Sequence, residues 1–146
     1  PFDEFRKVFH GRVTSIGHVV AIMSPWTGPE YLKRVWCIFE LFTASMEGCK
    51  VTIEMPKRER EDFIEGLVYG DEHDNKLFGV LSSTDVESAK AFVPSDRKNI
   101  LDIVKTETGG YDQFNITINQ LIQTWVMQLI KDAAQSRLED VVDGEC

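Results

Sequence analysis

The sequence predicts an α/β domain with a parallel sheet of three to four strands, flanked by helices and ending in a long carboxyl-terminal helix. Residues 18–24 form an apolar run of strand character that leads directly into a loop rich in Pro and Gly. An amphipathic helix and then a second alternating segment follow this loop, which is the order of elements in a βαβ unit. A long apolar stripe near the end of the chain predicts the last helix.

The first half of the chain contains the clearest elements. A helix is predicted over roughly residues 3–15, with Asp3 as its N-cap and Gly17 at its end. The strand at residues 18–24 is apolar on both faces, so we expect it to be central in the sheet. The next helix begins near Glu30 and ends at Gly48, and its apolar positions recur at steps of three and four: Leu32, Val35, Phe39, Phe42 and Met46.

The second half is less regular. Residues 51–55 alternate as a half-buried or edge strand, and a helix is predicted to begin at Lys57. A polar loop at residues 70–75 precedes a short segment, residues 76–82, for which helix is favoured. Residues 84–92 are predicted to be the last strand or an extended segment.

Two helices complete the predicted domain. Ser95 is the expected N-cap of the first, and Gly109 and Gly110 end it. The second covers about residues 112–136 and is expected to dock through a stripe of large side chains, which are Phe114, Ile118, Leu121, Trp125 and Leu129. Residues 1–136 are therefore predicted to form the domain, and residues 137–146 an acidic tail or linker.

Composition excludes several classes of protein. The chain has 146 residues, 42% of them hydrophobic, which suits a single domain with a core. Its net charge of −8 argues against a nucleic-acid partner, and its apolar runs are too short to cross a membrane. Three cysteines without CxxC spacing favour a reducing, cytoplasmic setting. Because the chain opens inside an amphipathic pattern, we expect it to be a domain truncated at its amino end.

The common catalytic motifs are missing from the sequence. It contains no phosphate-binding loop of the GxxxxGK[ST] type, no GxGxxG, no HExxH and no GxSxG. The three histidines fall on a predicted helix, a strand start and a loop, so no metal site is predicted.

The block from Ser24 to Leu41 carries a resemblance to a known family. Ser24-Pro25-Trp26 is followed by Leu32, Arg34, Trp36-Cys37 and Glu40-Leu41, and this pattern resembles the second signature of TIR domains. It is similar in particular to a TIR-like variant with an SPW…LxRxWCxxE signature, found in multidomain proteins that often contain helical repeats. Looser matches follow at Asp85, Ala89, Ala91-Phe92, Gly110, Asn119 and Trp125.

The resemblance implies a flavodoxin-like fold and a candidate chemistry. In catalytic TIR domains a glutamate in the WCxxEL helix serves NAD⁺ cleavage, and that glutamate corresponds to Glu40. A carboxylate near the ribose can stabilise the positive charge that develops when the nicotinamide–ribose bond breaks. Glu40 is thus the candidate catalytic residue, and Ser24, Trp26, Arg34 and Trp36 are the candidate substrate-binding residues. No cofactor is expected, and NAD is the candidate substrate.

Each of these residues also has a structural interpretation. Glu40 falls at the edge of the apolar stripe, where it could form an ion pair with Lys33 or Arg34. Trp36 could belong to the core, and Arg34 could form solvated ion pairs. Cys37 is interpreted as a half-buried helix residue rather than a nucleophile.

Two functions stay open: a signalling or interaction module that retains nucleotide chemistry through Glu40, and a purely non-enzymatic scaffold. Either would have protein partners or self-associate.

Overall fold

The chain is helical for most of its length. A computed structural model describes residues 2–69, Gly79 and residues 84–143. Along residues 2–69 and 84–143 it forms five α-helices, one short 3₁₀ helix and two strands. These are α1 (Phe2–Ile16), β1 (His18–Ile22), the 3₁₀ helix (Glu30–Lys33), α2 (Val35–Met46), β2 (Lys50–Glu54), α3 (Lys57–Tyr69), α4 (Pro94–Glu107) and α5 (Tyr111–Asp143).

The sheet is smaller than the sequence predicts. β1 and β2 pair in parallel, from His18 opposite Lys50 to Ile22 opposite Glu54, and the described residues form no further strand. The predicted sheet of three to four strands is therefore wrong, and so is the central position of β1. The inner face of β1 is buried through Val19 and Ala21, whereas Val20 and Ile22 on its other face are each 48% exposed.

The predicted third strand does not form. Its backbone N–H groups donate hydrogen bonds to side chains instead of to a neighbouring strand. The backbone N–H of Thr84 donates to Asn119 Oδ1 at 2.8 Å, and that of Val86 donates to Asn115 Oδ1 at 3.0 Å. Residues 86–88 then form a turn. Strand-like contact is limited to Lys90, at a single parallel bridge described in the next section.

α2 is the central helix of the core. Buried residues occupy most of its surface, which is typical of a helix packed on several sides. They are Val35, Ile38, Phe39, Leu41, Phe42, Thr43 and Ala44. The helix contacts both strands as well as α1, α4 and α5. Its amino end follows the 3₁₀ helix directly, which places Arg34 at the N-cap position.

α5 docks through a stripe that agrees in part with the predicted one, because Phe114 and Ile118 belong to both. Its fully buried positions are spaced by four residues, and they are Phe114, Ile118, Ile122 and Val126. The Phe114 ring stacks on Phe42 with 4.5 Å between the centroids. Leu121, Trp125 and Leu129 are half-buried and pack against the core beside this stripe, so they take part in docking as predicted, although Ile122 and Val126 are buried more deeply.

Helix boundaries agree with the sequence in part. Gly17 has a φ of 69° and ends α1 close to the predicted position. α4 begins at Pro94 with Val93 as its N-cap, so Ser95 does not have the predicted capping role. α5 continues past residue 136 to Asp143. The loop predicted at residues 70–75 and the segment at 76–82 lie outside the described residues, apart from Gly79. Of the helices in the described part, none is both long and apolar enough to cross a membrane.

Candidate functional site

Ser24 and Trp26 follow the carboxyl end of β1 and are held by α3. The Ser24 hydroxyl donates to one carboxylate oxygen of Glu59, and the Trp26 backbone N–H donates to the other at 2.6 Å. One acidic side chain of α3 therefore fixes the start of the loop after β1. Sequence reasoning missed Glu59, because it lies in a mixed-charge run with no distinguishing pattern.

The indole ring of Trp26 also packs against α3. Its ring meets Phe63 edge-on with 5.6 Å between the centroids. Gly66 lies next to the same ring, since a Cβ added there would be 3.8 Å from Trp26 Cη2. The half-buried Trp26 thus has a packing role on α3, which accounts for its place at the end of the strand.

Trp36 lies on the side of α2 that faces α1. Its ring is 5.1 Å from that of Phe5 and 5.3 Å from that of Phe9, measured between centroids. Its indole nitrogen donates to Asp96 of α4 at 3.2 Å. Trp36 therefore connects three helices, which agrees with the core interpretation of this residue.

Glu40 is half-buried and is oriented by a tyrosine. Its Oε2 atom accepts a hydrogen bond from the Tyr31 hydroxyl at 3.3 Å. Burial, and then the nearby negative charge of Glu40, raise the pKa of Tyr31, so this hydroxyl keeps its proton and acts as the donor. Tyr31 was not predicted, because nothing in the sequence links a residue of the 3₁₀ helix to one in the second turn of α2.

The ion pairs considered for Glu40 do not form. Lys33 instead contacts Glu30 at 2.7 Å, and Glu40 makes no ion pair with any described residue. Burial raises the pKa of the Cys37 thiol, although the positive charge of Arg34 opposes this effect. A thiol with a raised pKa is a poor nucleophile, which supports the structural interpretation of Cys37.

Arg34 lines a cleft of about 430 Å³ that the sequence did not predict. We call this the Arg34 cleft. Its described lining residues come from the loop and 3₁₀ helix before α2 and from the segment after residue 83, and they are Gly28, Pro29, Glu30, Leu32, Lys33, Arg34, Thr84, Asp85, Ser88 and Lys90. Arg34 and Lys90 are backbone partners in the parallel bridge; the Lys90 N–H donates to the Lys33 carbonyl at 2.8 Å.

The predicted site residues have separate contact partners in the described part of the chain. Ser24 and Trp26 are bound to α3, Trp36 packs against α1, and Glu40 contacts Tyr31. Of these predicted residues, Arg34 alone lines the cleft described above. Thr84 and Lys90 also line the cleft, and the sequence did not indicate this because it predicts only a strand or an extended segment for residues 84–92.

Neither metal ligands nor known proteins identify the site. Within the described ranges, no three His, Cys, Asp or Glu side chains lie together as metal ligands would. No protein-family model matches the chain, and no curated protein or solved structure matches it significantly.

Proposed function

We propose that this chain is a TIR-like protein-interaction module that self-associates through the outer face of its sheet. The observation that carries the proposal is the exposure of Val20 and Ile22, each 48% accessible on the face of β1 that points away from α2. An apolar row on an open sheet face favours burial against another surface.

The register of the sheet makes this face self-complementary. Partner residues of a parallel pair point to the same side, so Val20 and Ile22 lie beside a polar row that begins at Lys50 and ends at Glu54. If two copies pack face to face with their strands antiparallel and Val20 opposite Val20, Lys50 of each copy lies opposite Glu54 of the other. Ile22 then lies opposite His18, so the apolar contact is centred on Val20. A second copy of the chain is therefore the partner that best fits this surface.

Substitution of Val20 tests the proposed interface. Val20→Lys places a charge in the apolar row and should raise the Kd of self-association at least tenfold. Val8→Lys is the matched control, because Val8 is also 48% exposed but lies on α1. Both are measured by sedimentation velocity over a range of concentrations. A wild-type chain that stays monomeric at millimolar concentration, or equal dimerisation of both variants, would refute the proposal.

A cytoplasmic location is part of this proposal. Cys37 and Cys49 are free thiols in the structure, and a reducing compartment maintains thiols in that state. The net charge of −8 favours protein or small-molecule partners over nucleic acid.

NAD⁺ cleavage through Glu40 is a second candidate function. The observation in its favour is that the half-buried carboxylate has no neutralising cation among the described residues, while Tyr31 orients one of its oxygens. Such a carboxylate is able to stabilise the positive charge that develops on a ribose as its bond to nicotinamide breaks.

Nicotinamide release from NAD⁺ tests this second function. Glu40→Gln should abolish most turnover while leaving the melting temperature close to that of the wild type, since the amide is nearly isosteric. Tyr31→Phe removes the orienting hydroxyl and should reduce turnover less. If a folded, self-associated wild-type chain releases no nicotinamide, the enzymatic function is excluded and the interaction function is unaffected.

A further inference from the structure

We propose that the Arg34 cleft binds a small molecule that carries a phosphate group. The inference is independent of the interaction function, because the cleft uses neither Val20 nor Ile22. It rests on two unneutralised cations, on a buried hydroxyl without a partner, and on the size of the cleft.

The backbone holds Arg34 and Lys90, the two cations, next to each other. Arg34 and Lys90 are direct partners in the parallel bridge, flanked by the hydrogen bond from the Val35 N–H to the Lys90 carbonyl at 2.9 Å. Side chains of directly opposite residues point to the same side, and like charges in that position repel each other. A bound anion would remove this repulsion.

The described acidic residues of the cleft have partners within the chain, although Asp85 keeps its negative charge because its partner is a neutral backbone N–H. Glu30 contacts the Lys33 ammonium at 2.7 Å, and Asp85 accepts the Glu87 backbone N–H at 3.0 Å. Among the described residues, the side chains of Arg34 and Lys90 make no hydrogen bond or ion pair with a carboxylate. Their charges are therefore available to a ligand.

Thr84 supplies the second, independent observation. It lines the cleft and is only 7% exposed, and its hydroxyl oxygen is buried with no hydrogen-bond partner among the described residues. An unpaired buried hydroxyl is costly and calls for an explanation. Because this oxygen is buried, the Thr84 side chain must rotate towards the cleft before its hydroxyl can donate to a phosphate oxygen, whereas the guanidinium and ammonium groups can bind the same oxygens directly.

The dimensions and overall charge favour a small ligand. A cleft of about 430 Å³ lies in the range of small-molecule sites. A polyanion such as RNA would also contact the surrounding surface of a chain with a net charge of −8, which repels it. A phosphorylated metabolite or a mononucleotide can place its phosphate in the cleft without that wider contact.

Titration of the intact chain with inorganic pyrophosphate tests the proposal. Binding is measured by calorimetry and by the chemical shifts of the backbone amides. Saturable binding is expected, with shifts concentrated at Arg34, Thr84 and Lys90. Ribose 5-phosphate and AMP, titrated in the same way, distinguish the sources of the phosphate: tighter binding of AMP indicates a nucleotide, and equal binding indicates recognition of the phosphate alone.

Variants assign the binding to the cleft. Arg34→Gln and Lys90→Gln should each weaken pyrophosphate binding at least tenfold, and Thr84→Val should weaken it severalfold. Lys105→Gln removes the same charge from an exposed position of α4 and should leave the affinity within twofold. Melting curves confirm that each variant is folded. Absence of saturable binding overturns the proposal, as does equal weakening by Lys90→Gln and Lys105→Gln.

Discussion

Asn119 should make a large contribution to stability for a single side chain, because it supplies the hydrogen-bond acceptor that a neighbouring strand would otherwise provide. Its Oδ1 atom accepts the backbone N–H of Thr84 at 2.8 Å, and Thr84 is only 7% exposed. Asn119→Ala removes the acceptor and leaves that N–H unsatisfied, at a cost of about 1–3 kcal/mol. For a chain of this size the melting temperature should fall by roughly 2–4 °C for each kcal/mol lost.

Two further variants and one local probe sharpen this prediction. Asn119→Asp keeps an oxygen at the acceptor position, so its loss of stability should be smaller. Gln120→Ala, at the next and exposed position of α5, should change stability by less than about 0.5 kcal/mol. Urea titration gives the free energies of unfolding, and amide exchange of Thr84 reports the bond directly. If the alanine and aspartate variants at position 119 lose the same stability, or the Thr84 amide exchanges as slowly as in the wild type, the proposed role of Asn119 is wrong.

Two other contacts between separate elements lead to predictions. Glu59→Gln replaces the charged acceptor of the Trp26 N–H and should lower the free energy of unfolding in urea by about 1–2 kcal/mol. Glu61→Gln, at an exposed position, should have little effect. Equal losses in the two variants would contradict the role of Glu59. The hydrogen bond from Arg6 lowers the pKa of Glu107, so this pair contributes stability above the ordinary Glu pKa of about 4.3 and loses it as the pH falls through the lowered value. Because both groups are partly exposed, the contribution is at most about 1 kcal/mol, and Glu107→Gln should reduce the difference between the urea midpoints at pH 7 and pH 3.

The parts of the fold that depend on local pattern were predictable. α1, β1, α2 and β2 all lie close to their expected positions, because glycines and apolar periodicity fix them over a few residues. The prediction that β1 is central in the sheet was wrong for a local reason as well. Val20 and Ile22 are apolar but exposed, so the sequence of this strand with one buried face resembled that of a central strand.

The third strand and the site depended on contacts between distant positions. The amides of Thr84 and Val86 are satisfied by two asparagines about thirty residues later in the chain, a relation that no periodicity reveals. The contact partners of the predicted site residues could not be read from the sequence for a similar reason. Ser24 lies close to Trp36 in the sequence, but Glu59 holds the former while an aromatic cluster with α1 holds the latter.

The attachment of residues 84–90 has a consequence for the order of folding. This segment obtains its hydrogen bonds from side chains of α5 at one end and from the backbone before α2 at the other. The asparagines occupy the right positions only once α5 is helical, and Lys90 finds its partner only once the start of α2 is in place. We therefore expect the wall of the Arg34 cleft to form after the helices that support it. Because Val86 and Ala89 of this segment are buried in the core, opening of the wall would expose core side chains, so we expect the wall and the core to open together.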